Sequence, residues 1–196
     1  MRTLSTFIVL ALMPTSLLAQ ESPSSPQFQF PVTGNVPQVC AVQAPRLAPG
    51  AQVNFRGLSG NTLQIDQMVD PATLATNAAS VNVEFDTVCD YPHRVRIQSQ
   101  NNGLWQTNEL QGAVPPGFTY AVPYQASLIW AGVNGQLNAD AEVRRIHEER
   151  FNVDQGGAGS IVMRVAVEAG ASNVSNNAPV LAGYYGDTLR LFVEPQ

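Results

Sequence analysis

Two histidines, two cysteines and a few clustered acids are the residues of this chain whose types could do chemistry. His93 stands between Pro92 and Arg94 beside a strand-like stretch, and His147 lies in a charged segment. A catalytic constellation needs a nucleophile or acid, a base, and a group that orients the base. No GxSxG, HExxH, glycine-rich phosphate loop or paired metal motif accompanies either histidine. Both read as surface residues. Asp86 and Asp90 flank Cys89 and would share the opposite face of a strand, which suits solvation as well as a cation. Glu148-Glu149 beside Arg144-Arg145 reads as a solvated face. Asn173-Val174-Ser175 matches a glycosylation sequon. The pattern points away from an enzyme, a cofactor or a metal centre.

Charge and compartment narrow the classes further. All 10 basic residues are arginines, set against 15 acids, for a net charge of −5. No positive patch is available for phosphates to find, so nucleic acid is excluded as a leading partner. Residues 1–19 carry Arg2, then the apolar run 7–13, then Leu17 and Ala19 ahead of Gln20. That is the pattern of a secretory signal peptide, too short to span a membrane. No later apolar run is long enough for membrane insertion. In an oxidising compartment two cysteines imply one disulfide, Cys40–Cys89, since neither sits in a CxxC. Closing a loop of that size contributes about 4 kcal/mol in the chain-entropy model.

These residues must be positioned by strands. Residues 20–31 are polar and proline-rich at first, the composition of a flexible arm. A period of two then places Phe28, Phe30, Val32, Gly34 and Val36 on one face, with Pro31 and Pro37 limiting where such a strand can lie. Weaker signals occur at 52–55 and 62–65, and 71–79 reads as loop. Alternation is strong at 81–89, 94–98, 161–167 and 189–193. Residues 120–130 alternate as well, with a bend expected near Pro123. Residues 139–151 carry seven charges in thirteen positions and read as an irregular or short helical excursion; 154–160 reads as a connector. About seven strands and at most one helix make an all-β chain, folded as a β-sandwich in one domain over residues 32–196.

The stretch 179–193, PVLAGYYGDTLRLFV, resembles the closing strand of spore coat protein U-like domains, which belong with subunits of archaic chaperone–usher pili. Pro179, Ala182, Gly183, Tyr185, Asp187 and Thr188 match that family's closing pattern. Thr33, Gly34, Asn35 and Val36 leading to Cys40 resemble its first strand and first cysteine. Cys89 followed by Tyr91-Pro92 and 95–99 resembles the strand of the second cysteine, and 161–167 the strand before the closing loop. The charged run 144–150 and the long gap 53–80 depart from the pattern.

The resemblance implies an immunoglobulin-like, pilin-like sandwich missing its final strand. It implies a groove filled first by a periplasmic pilus chaperone and then, with an outer-membrane usher, by a donor strand from another pilus subunit or a second copy. Phe28, Phe30 and Val32 are the donor candidates, against the alternative that this segment is the domain's own first strand. Val36, Leu189, Leu191 and Val193 are the expected groove lining, with Tyr184 and Tyr185 at its end. The implied destination is the cell surface, through the periplasm. The competing expectation is a self-contained secreted β-sandwich that binds carbohydrate or an envelope protein through Trp105 and Trp130.

Overall fold

The computed structural model describes residues 30–50, 52–107 and 114–196. Residues 1–19, expected as a signal peptide, and Phe28 lie outside them. The chain divides into two units, Met1–Val36 and Pro37–Gln196. In the first, residues 30–36 form no strand, so the strand expected at 32–36 is not a regular element here. Pro31 offers no N–H to a ladder, and neither does Pro37 just beyond.

The second unit is all-β, with no helix among its described residues. In chain order the strands are β1 (Cys40–Val42), β2 (Arg46–Leu47), β3 (Phe55–Ser59), β4 (Thr62–Ile65), β5 (Ala79–Cys89), β6 (His93–Ser99) and β7 (Leu104–Gln106). There follow β8 (Ala121–Val122), β9 (Tyr124–Trp130), β10 (Val133–Ala139), β11 (His147–Val153), β12 (Gly157–Val167), β13 (Tyr185–Gly186) and β14 (Leu189–Pro195). A six-stranded antiparallel sheet runs β1-β5-β12-β9-β10, with β2 also on β5. Two three-stranded sheets run β11-β6-β14 and β13-β7-β8, and β3 pairs with β4.

Strand lengths follow from the sequence. β5 and β12 pair along eleven positions, with Val83 opposite Met163 and Val81 opposite Val165 where the apolar alternation of 81–89 meets that of 161–167. Along the other edge of β5 the chain lays only short pieces, β1 and β2, separated by Pro45. Pro123 divides β8 from β9 where the bend was expected. One apolar cluster then draws on both larger sheets: Val81 and Ile161, Ala126 and Leu128, with Val95 and Ile97 from β6.

Three segments differ from expectation. β11 lies within the charged run, and no helix forms there. Its outward residues Glu148 and Arg150 belong to an ion ladder with Arg96 of β6, and only Phe151 and Val153 reach the core, which hides the strand's period. Glycines 157 and 159 begin β12 inside the expected connector. The third, β10, falls where no strand was expected. Its inward residues are Gly135, Leu137 and Ala139, and the Phe151 ring occupies the space above Gly135. A tight turn with positive φ at Ala131 and Gly132 returns the chain from β9.

A Cβ at Gly135 would stand 2.6 Å from the Phe151 ring. Gly135→Ala is therefore expected to lower stability by about 1–3 kcal/mol through overpacking. Adding Phe151→Leu should recover part of that loss, read as a non-additive double-mutant cycle in urea.

Candidate functional site

β14 pairs with β6 on one side and, among the described residues, with no strand on the other. The phase of its hydrogen bonds follows from one contact. The N–H of Gln100 donates to the carbonyl of Thr188 at 3.0 Å, in the same register that pairs Leu189 with Ser99. Backbone groups alternate sides along a strand, so those of Arg190, Phe192 and Glu194 face β6. Those of Leu189, Leu191 and Val193 face the free side.

The same three residues turn their side chains to the core yet remain only half-buried. An apolar alternation thus lies beside an unpaired backbone edge. Pro195 closes that edge, because its missing N–H falls on the free side and takes nothing from β6.

The outer face of β14 is ionic. Arg96 lies 3.8 Å over the Phe192 ring and bridges Glu148 at 3.2 Å and Glu194. Those contacts, Glu194 foremost, hold its guanidinium above its ordinary pKa. The Gln98 side chain, with Arg150 and Arg96, draws Glu148 below the usual carboxylate range. Arg190 is exposed and donates to Gln98 and Gln100.

The segment leading into β14 is docked residue by residue. The carbonyl of Pro179 accepts from Thr119 N–H at 2.8 Å, and that of Ala182 from Gln106 Nε2 at 2.8 Å. A side chain at Gly183 would collide with Gln106. The Tyr185 hydroxyl donates to the Leu181 carbonyl at 2.7 Å, and burial pushes its pKa up to about 12. Asp187 accepts from Ser99 Oγ at 2.5 Å, Tyr124 OH at 2.7 Å, and the N–H groups of Asn101 and Thr188 at 2.9 and 2.7 Å. Tyr184 is exposed.

Of the expected donor residues, Phe30 and Val32 are exposed, and Val36, expected to line the groove, is exposed and lies in no strand. The root of that segment is firm. Cys40 and Cys89 form the expected disulfide across the β1–β5 pair. Val39 donates its N–H to Asp90 Oδ1 at 2.8 Å and accepts from Asp90 N–H at 3.1 Å.

The other residues singled out for chemistry have structural occupations. His93 is fully buried, not a surface residue. Its Nε2 accepts from the Trp130 indole at 2.7 Å, which leaves Nδ1 to donate to the Tyr91 carbonyl at 2.9 Å. Trp130 is core, so it offers no recognition surface. Trp105 packs its ring 5.8 Å from Tyr120, with its Nε1 buried and without a partner among the described residues. His147 meets Asn102 Oδ1 at 2.8 Å through Nδ1. Asp86 accepts from Ser160 and Arg46, which lower its pKa. Asn173 Oδ1 accepts from the N–H groups of Tyr120 and Ala121. Among the described residues no cluster of His, Cys, Asp and Glu is arranged to hold a metal ion.

The chain matches no protein-family model and no curated protein. The resemblance to spore coat protein U-like domains therefore rests on its motif residues alone. Sequence reasoning passed over Ser99, Tyr124 and Asn101, the partners of Asp187. Tyr124 was visible only as one more inward position, and nothing in its spacing marks its hydroxyl as bonded.

Burial, with the Asp187 carboxylate next in weight, raises the Tyr124 pKa far above 10.0. The unfolded chain releases that proton near 10 while the folded protein keeps it. Stability should be intact below pH 10 and fall above it. Tyr124→Phe is expected to remove about 1.4 kcal/mol per pH unit of that slope, measured by urea midpoints between pH 9 and 11.5.

Proposed function

We propose that this chain is a secreted structural subunit of a surface pilus or coat, joined to its neighbours by strand addition at β14. The observation that carries the reading is the free side of β14, where unpaired backbone groups and half-buried Leu189, Leu191 and Val193 coincide. In strand addition the ladder supplies affinity and alternate side chains fill pockets. On this reading the body is an immunoglobulin-like sandwich that lacks its last strand, and the newcomer supplies it. A periplasmic chaperone holds the edge first. An outer-membrane usher then hands it to the next subunit.

The phase of Pro31 supports residues 28–32 as donor and sets their direction. An antiparallel newcomer bonds through the residues opposite Leu189, Leu191 and Val193, which are its own inward residues Val32, Phe30 and Phe28. Pro31 then faces away from β14, and its missing N–H costs nothing. A parallel newcomer bonds through the residues in between. Pro31 would then leave the Leu191 carbonyl without its donor.

Reach argues for a second copy as the acceptor. Val39 and Cys40 are tied beside Cys89 and Asp90, at the end where Pro195 pairs with His93. Docked antiparallel on its own β14, Val32 would stand at the far end. The chain would then have to reverse and run back about 20 Å, at ~3.3 Å per residue, before Val39. A reversal uses several of those residues. A neighbouring molecule's edge imposes no such return.

The test is complementation between two blocked variants exported to a Gram-negative periplasm. The wild type should form an SDS-resistant, heat-labile ladder, and Phe28→Asp/Phe30→Asp or Leu191→Asp alone should abolish it. Mixed, the donor-blocked and acceptor-blocked chains should give a capped heterodimer on size exclusion. A stable wild-type monomer, with no ladder and no affinity for a co-expressed pilus chaperone, overturns the proposal in favour of a self-contained binding module.

A further inference from the structure

Building on strand addition at β14, we infer that Asp187 is the positioning residue that latches the accepting strand across both large sheets. Its carboxylate sits immediately before β14 and takes hydrogen bonds from three directions. Ser99 Oγ at 2.5 Å comes from the end of β6, the strand that holds β14. Tyr124 OH at 2.7 Å comes from β9, in the opposite sheet. The N–H groups of Asn101 and Thr188 complete the set. Ser99 is fully buried and Tyr124 nearly so, so neither donor finds water as an easy substitute.

The consequence is geometric. Leu189 lies two residues beyond Asp187 and opposite Ser99, so the first position of the edge takes its place from this carboxylate. Because Tyr124 reaches it from the other sheet, the same carboxylate ties the two layers together at that end. Ser99 Oγ also accepts from the buried Asn102 N–H at 2.8 Å, which carries the anchorage into the β6–β7 turn. The chain needs an acceptor there with oxygens facing two ways. Asparagine supplies one oxygen and turns a donor toward other donors.

The experiment compares the full chain with Asp187→Asn, Ser99→Ala, Tyr124→Phe and Leu137→Ala, the last a β10 core variant chosen for matched loss of stability. A synthetic peptide of residues 26–36 serves as the incoming strand, and amide exchange reports β14 directly. Asp187→Asn is expected to speed exchange of the Arg190, Phe192 and Glu194 amides by ~10-fold or more while β5 and β12 amides hold. It should also weaken peptide affinity at least ~10-fold, with Leu137→Ala near wild type. Equal exchange and equal affinity in Asp187→Asn and Leu137→Ala overturn the inference and leave strand addition standing. A wild type that takes no peptide overturns strand addition and the docking role of Asp187 with it. If Asp187→Asn does not fold, the single-donor deletions decide: faster β14 exchange in both supports the latch, and none in either overturns it.

Discussion

A buried or half-buried backbone group must find a hydrogen-bond partner, and this constraint organises the whole protein. The central strands β5, β6, β9 and β12 satisfy it by lying between two others, with the short pieces β1 and β2 on the outer edge of β5. β10, β11 and β14 are edges, each seven residues long and paired on one side only among the described residues. β14 is the edge whose inner side carries the half-buried Leu189, Leu191 and Val193. Natural sheets blunt such an edge with charge, proline or brevity. This one keeps its proline at the last position, where it limits the length of the edge and leaves the rest open.

The polar interior follows from the same requirement. His93 is buried because a ring with one donor and one acceptor suits the Tyr91 carbonyl and the Trp130 indole together. Asp187 is half-enclosed because several hydroxyl and amide donors meet at the start of β14. The outer face of β11, β6 and β14 solves a related problem with charge: Arg96 sits between Glu148 and Glu194 with an aromatic ring beneath it.

Where period and burial agree, the strands were legible in sequence. β5, β9 and β14 present one apolar residue in two to a common core, and the break at Pro123 appears as a proline must make it. β10 was illegible for a definite reason. Its inner period is broken at Gly135, where the Phe151 ring, distant in sequence, fills the space from β11. β11 was hidden by the converse, since most of its side chains are charged and only its end reaches the core. Of the candidate site, the alternation of Leu189, Leu191 and Val193 could be read from the chain. That β14 is an edge could not, because pairing partners are set by topology rather than by any residue in the strand.

The tie between Cys40 and Cys89 has a mechanical consequence. Any tension on the N-terminal segment reaches the body through β1, a strand of three residues that would peel like a zipper. The covalent link carries the load past β1 and delivers it to the end of β5, which is locked lengthwise along β12. Load directed along β5 would shear many of its bonds to β12 at once instead of opening them in turn.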